Sequence, residues 1–154
     1  MTNNDVLRRL RYIFDFSDAR MIDLFAQAET EVSRAQVSDW LKRDDDPNFR
    51  KMSDLQFATF LNGFINDKRG KKEGPAHKPE NRLNNNIIFR KLKIALNLKV
   101  EDIIDIYGLV DARISKPEIT AIFRNPSQNQ YRECKDQFLR FFLQGLLEKY
   151  RPKK

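Results

Sequence analysis

One cysteine, one histidine and five glycines in 154 residues leave little of what most catalytic and metal sites require. Cys134 has no partner for an internal disulfide, and one Cys with one His excludes a zinc finger. His77 lies in a stretch rich in Lys, Gly and Pro, so neither a Ser-His-Asp nor a Cys-His arrangement can be assembled from folded parts. The glycines form no phosphate-cradling loop. Asp44, Asp45 and Asp46 adjoin Pro47 in a turn and lack the spacing of a calcium loop. No catalytic, metal-ligating or cofactor-binding residue is expected, and the chain reads as a non-enzyme. Also missing are an N-terminal apolar segment of the secretory kind and any run near the ~18 apolar residues of a membrane span. A cytoplasmic protein without membrane attachment is expected.

Core-forming content, in contrast, is ample: 12 Phe and 40% hydrophobic residues are enough for one domain or two small ones. The formal net charge of +7 is unevenly placed. Residues 1–70 carry 11 basic and 12 acidic side chains, 71–84 carry 4 and 2, and 85–154 carry 14 and 8. The second half therefore has an attraction for polyanions that the first half lacks.

Shifting the chain by 82 residues aligns 3–70 with 85–152 without a gap, with about 13 identities in 68 positions. They fall in informative places: Asn3-Asn4 on Asn85-Asn86, Arg8 on Arg90, Ile22-Asp23 on Ile104-Asp105, Ser33 on Ser115. Arg50, Asp54, Phe60-Leu61 and Gly63 likewise meet Arg132, Asp136, Phe142-Leu143 and Gly145. Three segments follow: a first repeat at 1–70, a basic linker at 71–84 and a second repeat at 85–154.

Each repeat reads as four helices, giving an all-α chain of two tandem helix-turn-helix-like units. The first helix is expected to start after a cap at Asn4 or Asn86, with Val6, Leu7, Leu10, Ile13 and Phe14 drawing one apolar stripe. The second, capped by Ser17 or Asp18, turns Met21, Ile22, Leu24, Phe25 and Ala28 inward. Ser33-x-x-Gln36 and Ser115-x-x-Glu118 have capping-box spacing and open a short third helix. A fourth runs from near Ser53 to Ile65, with Leu55, Ala58, Phe60, Leu61, Phe64 and Ile65 as core; Phe138, Phe141, Phe142, Leu146 and Leu147 serve the second copy. So many apolar positions on the fourth helices lead us to expect Phe60, Phe64, Phe141 or Phe142 at an interface between the copies.

The third helix carries the functional expectation. In a helix-turn-helix unit, a short capped helix packs on its predecessor and presents its other face to the major groove. Val37, Trp40 and Leu41 have the spacing for such packing, leaving Arg34, Ser38, Asp39 and Lys42 outward, with Lys116, Thr120, Ala121 and Arg124 as counterparts. Arg, Lys, Ser and Thr all bond phosphate or base edges. Arg8, Arg9 and Arg11, and in the second copy Arg90, Lys91 and Lys93, add a basic face able to hold phosphates. The candidate nucleic-acid site is thus Arg34, Ser38, Lys42, Lys116, Thr120 and Arg124 with Arg90, Lys91 and Lys93. The competing reading is an amphipathic helix with a solvated polar face, and the glycine common in such turns is absent near Glu31 and Arg113. Arg50 and Arg132 are expected to anchor the following loop to Asp54 and Asp136.

Asn-Asn at each start, Ala95-Leu96-Asn97-Leu98, Ile114-Ser115-Lys116-Pro117-Glu118, Tyr131-Arg132-Glu133-Cys134-Lys135-Asp136-Gln137 and Phe141-Phe142-Leu143-Gln144-Gly145 resemble the YehS-like family of small bacterial proteins. The resemblance covers nearly the whole chain. It implies a bacterial cytoplasmic protein with a duplicated domain and carries over no catalytic or binding residue. Two functions are expected in order: a DNA-binding or regulatory protein whose partner is duplex DNA or another polyanion, or a non-enzymatic adaptor engaging a protein partner.

Overall fold

The computed structural model describes residues 1–71, 73–74 and 77–151, and among them all regular structure is helical. In chain order the helices are α1 (Asn3–Phe14), α2 (Asp18–Gln27), α3 (Arg34–Leu41) and α4 (Asp54–Arg69), then α5 (Asn85–Ala95), α6 (Val100–Gly108), α7 (Lys116–Ile122) and α8 (Asp136–Tyr150). They form two compact units, the first ending at Leu83 and the second beginning at Asn84. Every helix of the second starts 82 residues after its counterpart in the first.

Local chemistry explains the boundaries. Capping boxes pair Thr2 with Asp5, Ser33 with Gln36, Ser53 with Gln56 and Ser115 with Glu118, each satisfying first-turn N–H groups that the helix itself cannot. Left-handed residues end α1 and follow α2 at Asp15 (φ 54°) and Glu29 (φ 59°), and recur at Asn97 (φ 54°) and Asp111 (φ 56°). Asp and Asn tolerate this conformation better than most residues, so the turns after α1, α5 and α6 form without glycine.

The caps of α1 and α5 are Thr2 and Asn84, not Asn4 and Asn86 as their position near the helix start implies. Asn4 is fully buried; its amide donates to the carbonyls of Trp40 (2.9 Å) and Arg50 (2.9 Å), and its Oδ1 accepts from the Met52 N–H (2.9 Å). Asn86 repeats this with Ile122 (3.0 Å), Arg132 (2.9 Å) and Cys134 (2.8 Å). A buried amide thus ties the first helix to the end of the third and to the loop beyond it. The preceding Asn3 and Asn85 hold the carboxylates of Asp54 and Asp136, each at 2.7 Å. Arg50 and Arg132 are therefore not the anchors of these aspartates. The Arg132 guanidinium pairs with Glu118 at 3.1 Å and lies over the Phe138 ring at 5.2 Å.

Helices α2 and α4, and likewise α6 and α8, make the closest approach in each unit, over Gly63 and Gly145. A Cβ on Gly63 would lie 1.7 Å from the Leu24 carbonyl oxygen. Phe60 packs with Phe25 and Phe57, Phe64 with Phe14 and Phe16, and Phe142 with Phe89 and Tyr107. Phe60, Phe64 and Phe142 each pack against rings of their own unit, and Phe141 is 37% exposed. Leu55 is likewise exposed (43%), and Phe57 and Leu139 are buried in its place and that of Phe141. The fourth helix also runs a turn beyond Ile65, to Arg69. Within the linker, Lys71 pairs with Glu29 (2.6 Å), and the Leu83 N–H donates to Asp54 (2.9 Å), a bond that with the Asn3 amide lowers the Asp54 pKa.

Candidate nucleic-acid interface

In the first unit three of the expected cations, Arg8, Arg11 and Lys42, are paired with acids. Arg8 pairs with Asp5, lies 3.2 Å from Asp44, and donates to the Lys42 carbonyl at 2.6 Å. Arg11 faces Asp18 at 3.8 Å. Lys42 is half-buried, 2.7 Å from Asp39 and 3.2 Å from the Ser38 hydroxyl. The Lys42 ammonium thus donates both to Asp39 and to the Ser38 hydroxyl. Arg34 is exposed and forms no ion pair among the described residues.

Equivalent positions of the second unit keep the cations and lose the acids. Arg90, Lys93 and Arg124 stand where Arg8, Arg11 and Lys42 stand, whereas Asp5, Asp18, Asp39 and Asp44 give way to Ile87, Val100, Ala121 and Pro126. The three cations meet at the end of α7. Arg90 donates to the Phe123 carbonyl at 3.0 Å, Lys93 Nζ lies 5.3 Å from the centroid of the Phe123 ring, and Arg124 follows in the chain. The Phe123 ring is itself fixed edge-on to Phe89 at 5.1 Å. Arg124 is half-buried, and its buried Nε has no hydrogen-bond partner.

The remaining expected residues are placed less favourably. Lys116, at the other end of α7, is exposed and 3.3 Å from Glu101, whose pKa its own backbone N–H and then Lys116 hold below the usual carboxylate value. The Thr120 hydroxyl donates back to the Lys116 carbonyl at 2.9 Å, so it can offer a ligand only acceptance. Lys91 is half-buried on α5. Phe123, the organiser of the cluster, was missed by sequence reading because the repeat places it on Leu41, an ordinary packing residue.

Helix α3 packs on α2 through Val37 and Trp40, whose ring stacks on Phe25 at 5.4 Å. The α2–α3 connection, 28–33, and the α6–α7 connection, 109–115, exceed the 3–4 residues of the compact helix-turn-helix turn. Cys134 is 2% exposed, and burial pushes its thiol up to about 12, so it is protonated and not a nucleophile at neutral pH. Among the described residues no group of three or more His, Cys, Asp or Glu side chains could hold a metal ion. No helix among them is long and apolar enough to cross a membrane.

The family model described as "Protein of unknown function (DUF1456)" matches twice, over residues 3–70 and 85–151. A relative from Escherichia coli (strain K12), Uncharacterized protein YehS, is 43% identical over 155 residues, which is all of this chain and 99% of its own length. No solved structure matches the chain.

Proposed function

We propose that this chain, which belongs to the DUF1456 family and carries its domain twice, binds nucleic acid, with duplex DNA as its first expected partner, and that the second repeat makes the phosphate contacts. The carrying observation is the paired replacement of acids around retained cations: Asp5, Asp18, Asp39 and Asp44 against Ile87, Val100, Ala121 and Pro126. A cation neutralised within its own fold adds little to polyanion affinity. One without an acidic neighbour releases counterions when it meets a phosphate. Arg90, Lys93 and Arg124 are of the second kind; Phe123 holds the first two, and Arg124 is the next residue along the chain. The first repeat, whose Arg8, Arg11 and Lys42 are paired internally and which leaves Arg34 as its exposed unpaired candidate among the described residues, suits the adaptor role better, toward a protein partner.

Binding of the full chain to a labelled duplex is expected to weaken with salt, at a log-log slope of about −0.9 per phosphate contacted. Lys93→Gln with Arg124→Gln should flatten that slope by roughly 2 and lower the affinity. The matched pair Arg11→Gln with Lys42→Gln should leave both unchanged. Fluorescence anisotropy across a potassium chloride series reads this directly, and equal losses from the two pairs, or salt-insensitive binding, would refute the assignment.

A further inference from the structure

The start of α8 departs from the start of α4 in a way that opens a cavity. In the first unit Ser53 and Gln56 form a capping box. The second unit has Lys135 and Phe138 there, and α8 has no side-chain cap bond. A helix start that breaks a local stability rule marks a place where another requirement prevails. Here the Phe138 carbonyl receives the Tyr107 hydroxyl at 2.6 Å, and Arg132 lies over the Phe138 ring. Phe138 and half-exposed Phe141 wall a cavity of about 350 Å³ against Tyr107. Its polar groups are Asp111, Arg113 and Gln137, the last held to Arg140 at 3.5 Å. Where the second unit has Arg113, Gln137, Phe138, Arg140 and Phe141, the first has Glu31, Leu55, Gln56, Ala58 and Thr59. The rings and the cations therefore arrive together, and only in the repeat that carries the positive excess.

We propose that this cavity holds one unstacked nucleotide, its base against Phe138 and Phe141 and its phosphate toward Arg113, with Arg140 beyond the wall on Gln137; the proposal rests on the nucleic-acid reading and adds to it a site for an unpaired nucleotide, from a single strand or free. Three features select that chemistry. A hydrocarbon ligand would leave Asp111, Arg113 and Gln137 unused, and a bare phosphate would face Asp111 and gain nothing from the rings. A base offers a π-face together with donors and acceptors at its edge, and about 350 Å³ lies within the range of ligand sites. A base inside a duplex stack cannot enter, so the occupant is unpaired.

The test uses the full chain with labelled decathymidylate, thymidine monophosphate and a labelled duplex. Decathymidylate is expected to bind, and Phe141→Ala to weaken it by about 5- to 150-fold, the usual worth of one base on an aromatic ring. Phe141→Trp should restore binding, and Leu109→Ala, also exposed but outside the cavity wall, should change it less than about twofold. Thymidine monophosphate showing the same Phe141 sensitivity identifies the free nucleotide as the source, and its failure to bind while decathymidylate binds identifies the strand. Strand binding indifferent to Phe141→Ala overturns the cavity assignment and leaves salt-dependent duplex binding standing. Nucleotide binding without any duplex binding does the reverse. No binding of any probe overturns both. Phe141→Ala altering sedimentation of the protein alone, in the absence of nucleotide binding, overturns the cavity assignment alone and makes the aromatic wall a face for a second copy.

Discussion

Gly63→Ala is expected to destabilise the first unit by about 2 kcal/mol or more, although alanine is the better helix former. The added Cβ would fall 1.7 Å from the Leu24 carbonyl oxygen and 2.7 Å from its carbon, both backbone atoms of the facing helix. No rotamer change relieves that contact, so α2 and α4 must separate. Overpacking of this kind costs roughly 1–3 kcal/mol, occasionally more, and the backbone nature of the clash puts it at the upper end. The propensity gain of alanine over glycine, ~1 kcal/mol, offsets only part of it. At Gly145 the new Cβ meets Ile106 Cγ2 and the Ile106 carbonyl oxygen, each at 2.5 Å. The backbone overlap there is shallower, 2.5 Å against 1.7 Å at Gly63, so a smaller loss of about 1 kcal/mol is expected. Gly108, at the end of α6, has nothing within 4 Å and no positive φ, so Gly108→Ala should stabilise the chain by about 0.5–1 kcal/mol. Thermal unfolding separates the three, since about 1 kcal/mol moves the midpoint of a unit this size by roughly 4–8 °C. A Gly63→Ala protein melting at or above the parent temperature would show that the helices do not approach as closely as described.

The two glycines show why duplication was readable and its reason was not. Gly63 and Gly145 align at the 82-residue offset, and that coincidence, with the Ser33 and Ser115 boxes, depends only on residues close in sequence. Helix starts, the order of four helices and the repeat itself are local in this sense. What the identity of Gly63 serves is set by Leu24, on another helix. The same limit governs Leu55 and Phe141, which look like core by composition but fall on the outward side once Phe57, Phe60, Leu61 and Phe64, or Leu139, Phe142, Leu143 and Leu146, take the inward stripe. The basic second half was plain from counting. Which of its cations lack an acidic neighbour required knowing that Asp5 and Asp44 face Arg8, 3 and 36 residues away, and that Asp39 faces Lys42. With those pairs known, reading Ile87, Pro126 and Ala121 at the same offset turns a net charge into a located surface.

Asn86→Ala is expected to cost about 3–5 kcal/mol, well above what an exposed helix cap contributes. A buried polar group left without its partner costs about 1–3 kcal/mol, and this one side chain serves three backbone groups at once. Those groups are the carbonyls of Ile122 and Arg132 and the N–H of Cys134, of which the first and last bonds are fully buried. Asn84, whose side chain caps α5 by accepting from the Ile87 N–H at 2.9 Å, should lose only ~1 kcal/mol on Asn84→Ala. Urea unfolding of the two variants therefore separates a tertiary clamp from a cap, and similar losses from both would return Asn86 to the capping role. A second arm uses Asn86→Asp, which keeps the size but removes both donors and points a carboxylate at two carbonyls. Its folded-state pKa must lie above the unfolded value of about 3.9, because burial and the facing carbonyls penalise the charged form. The loss is then largest above that raised pKa and shrinks as pH falls through it, when the protonated acid again donates one bond. The parent chain and Asn86→Ala should lack this recovery on mild acidification. Because the Ile122 carbonyl held by Asn86 immediately precedes Phe123, where Arg90 and Lys93 converge, Asn86→Ala should also lower duplex affinity at temperatures where the chain is still folded. Asn4→Ala, acting on the end of α3 where Arg8 and Lys42 are already paired with acids, should destabilise by a similar amount and leave that affinity unchanged.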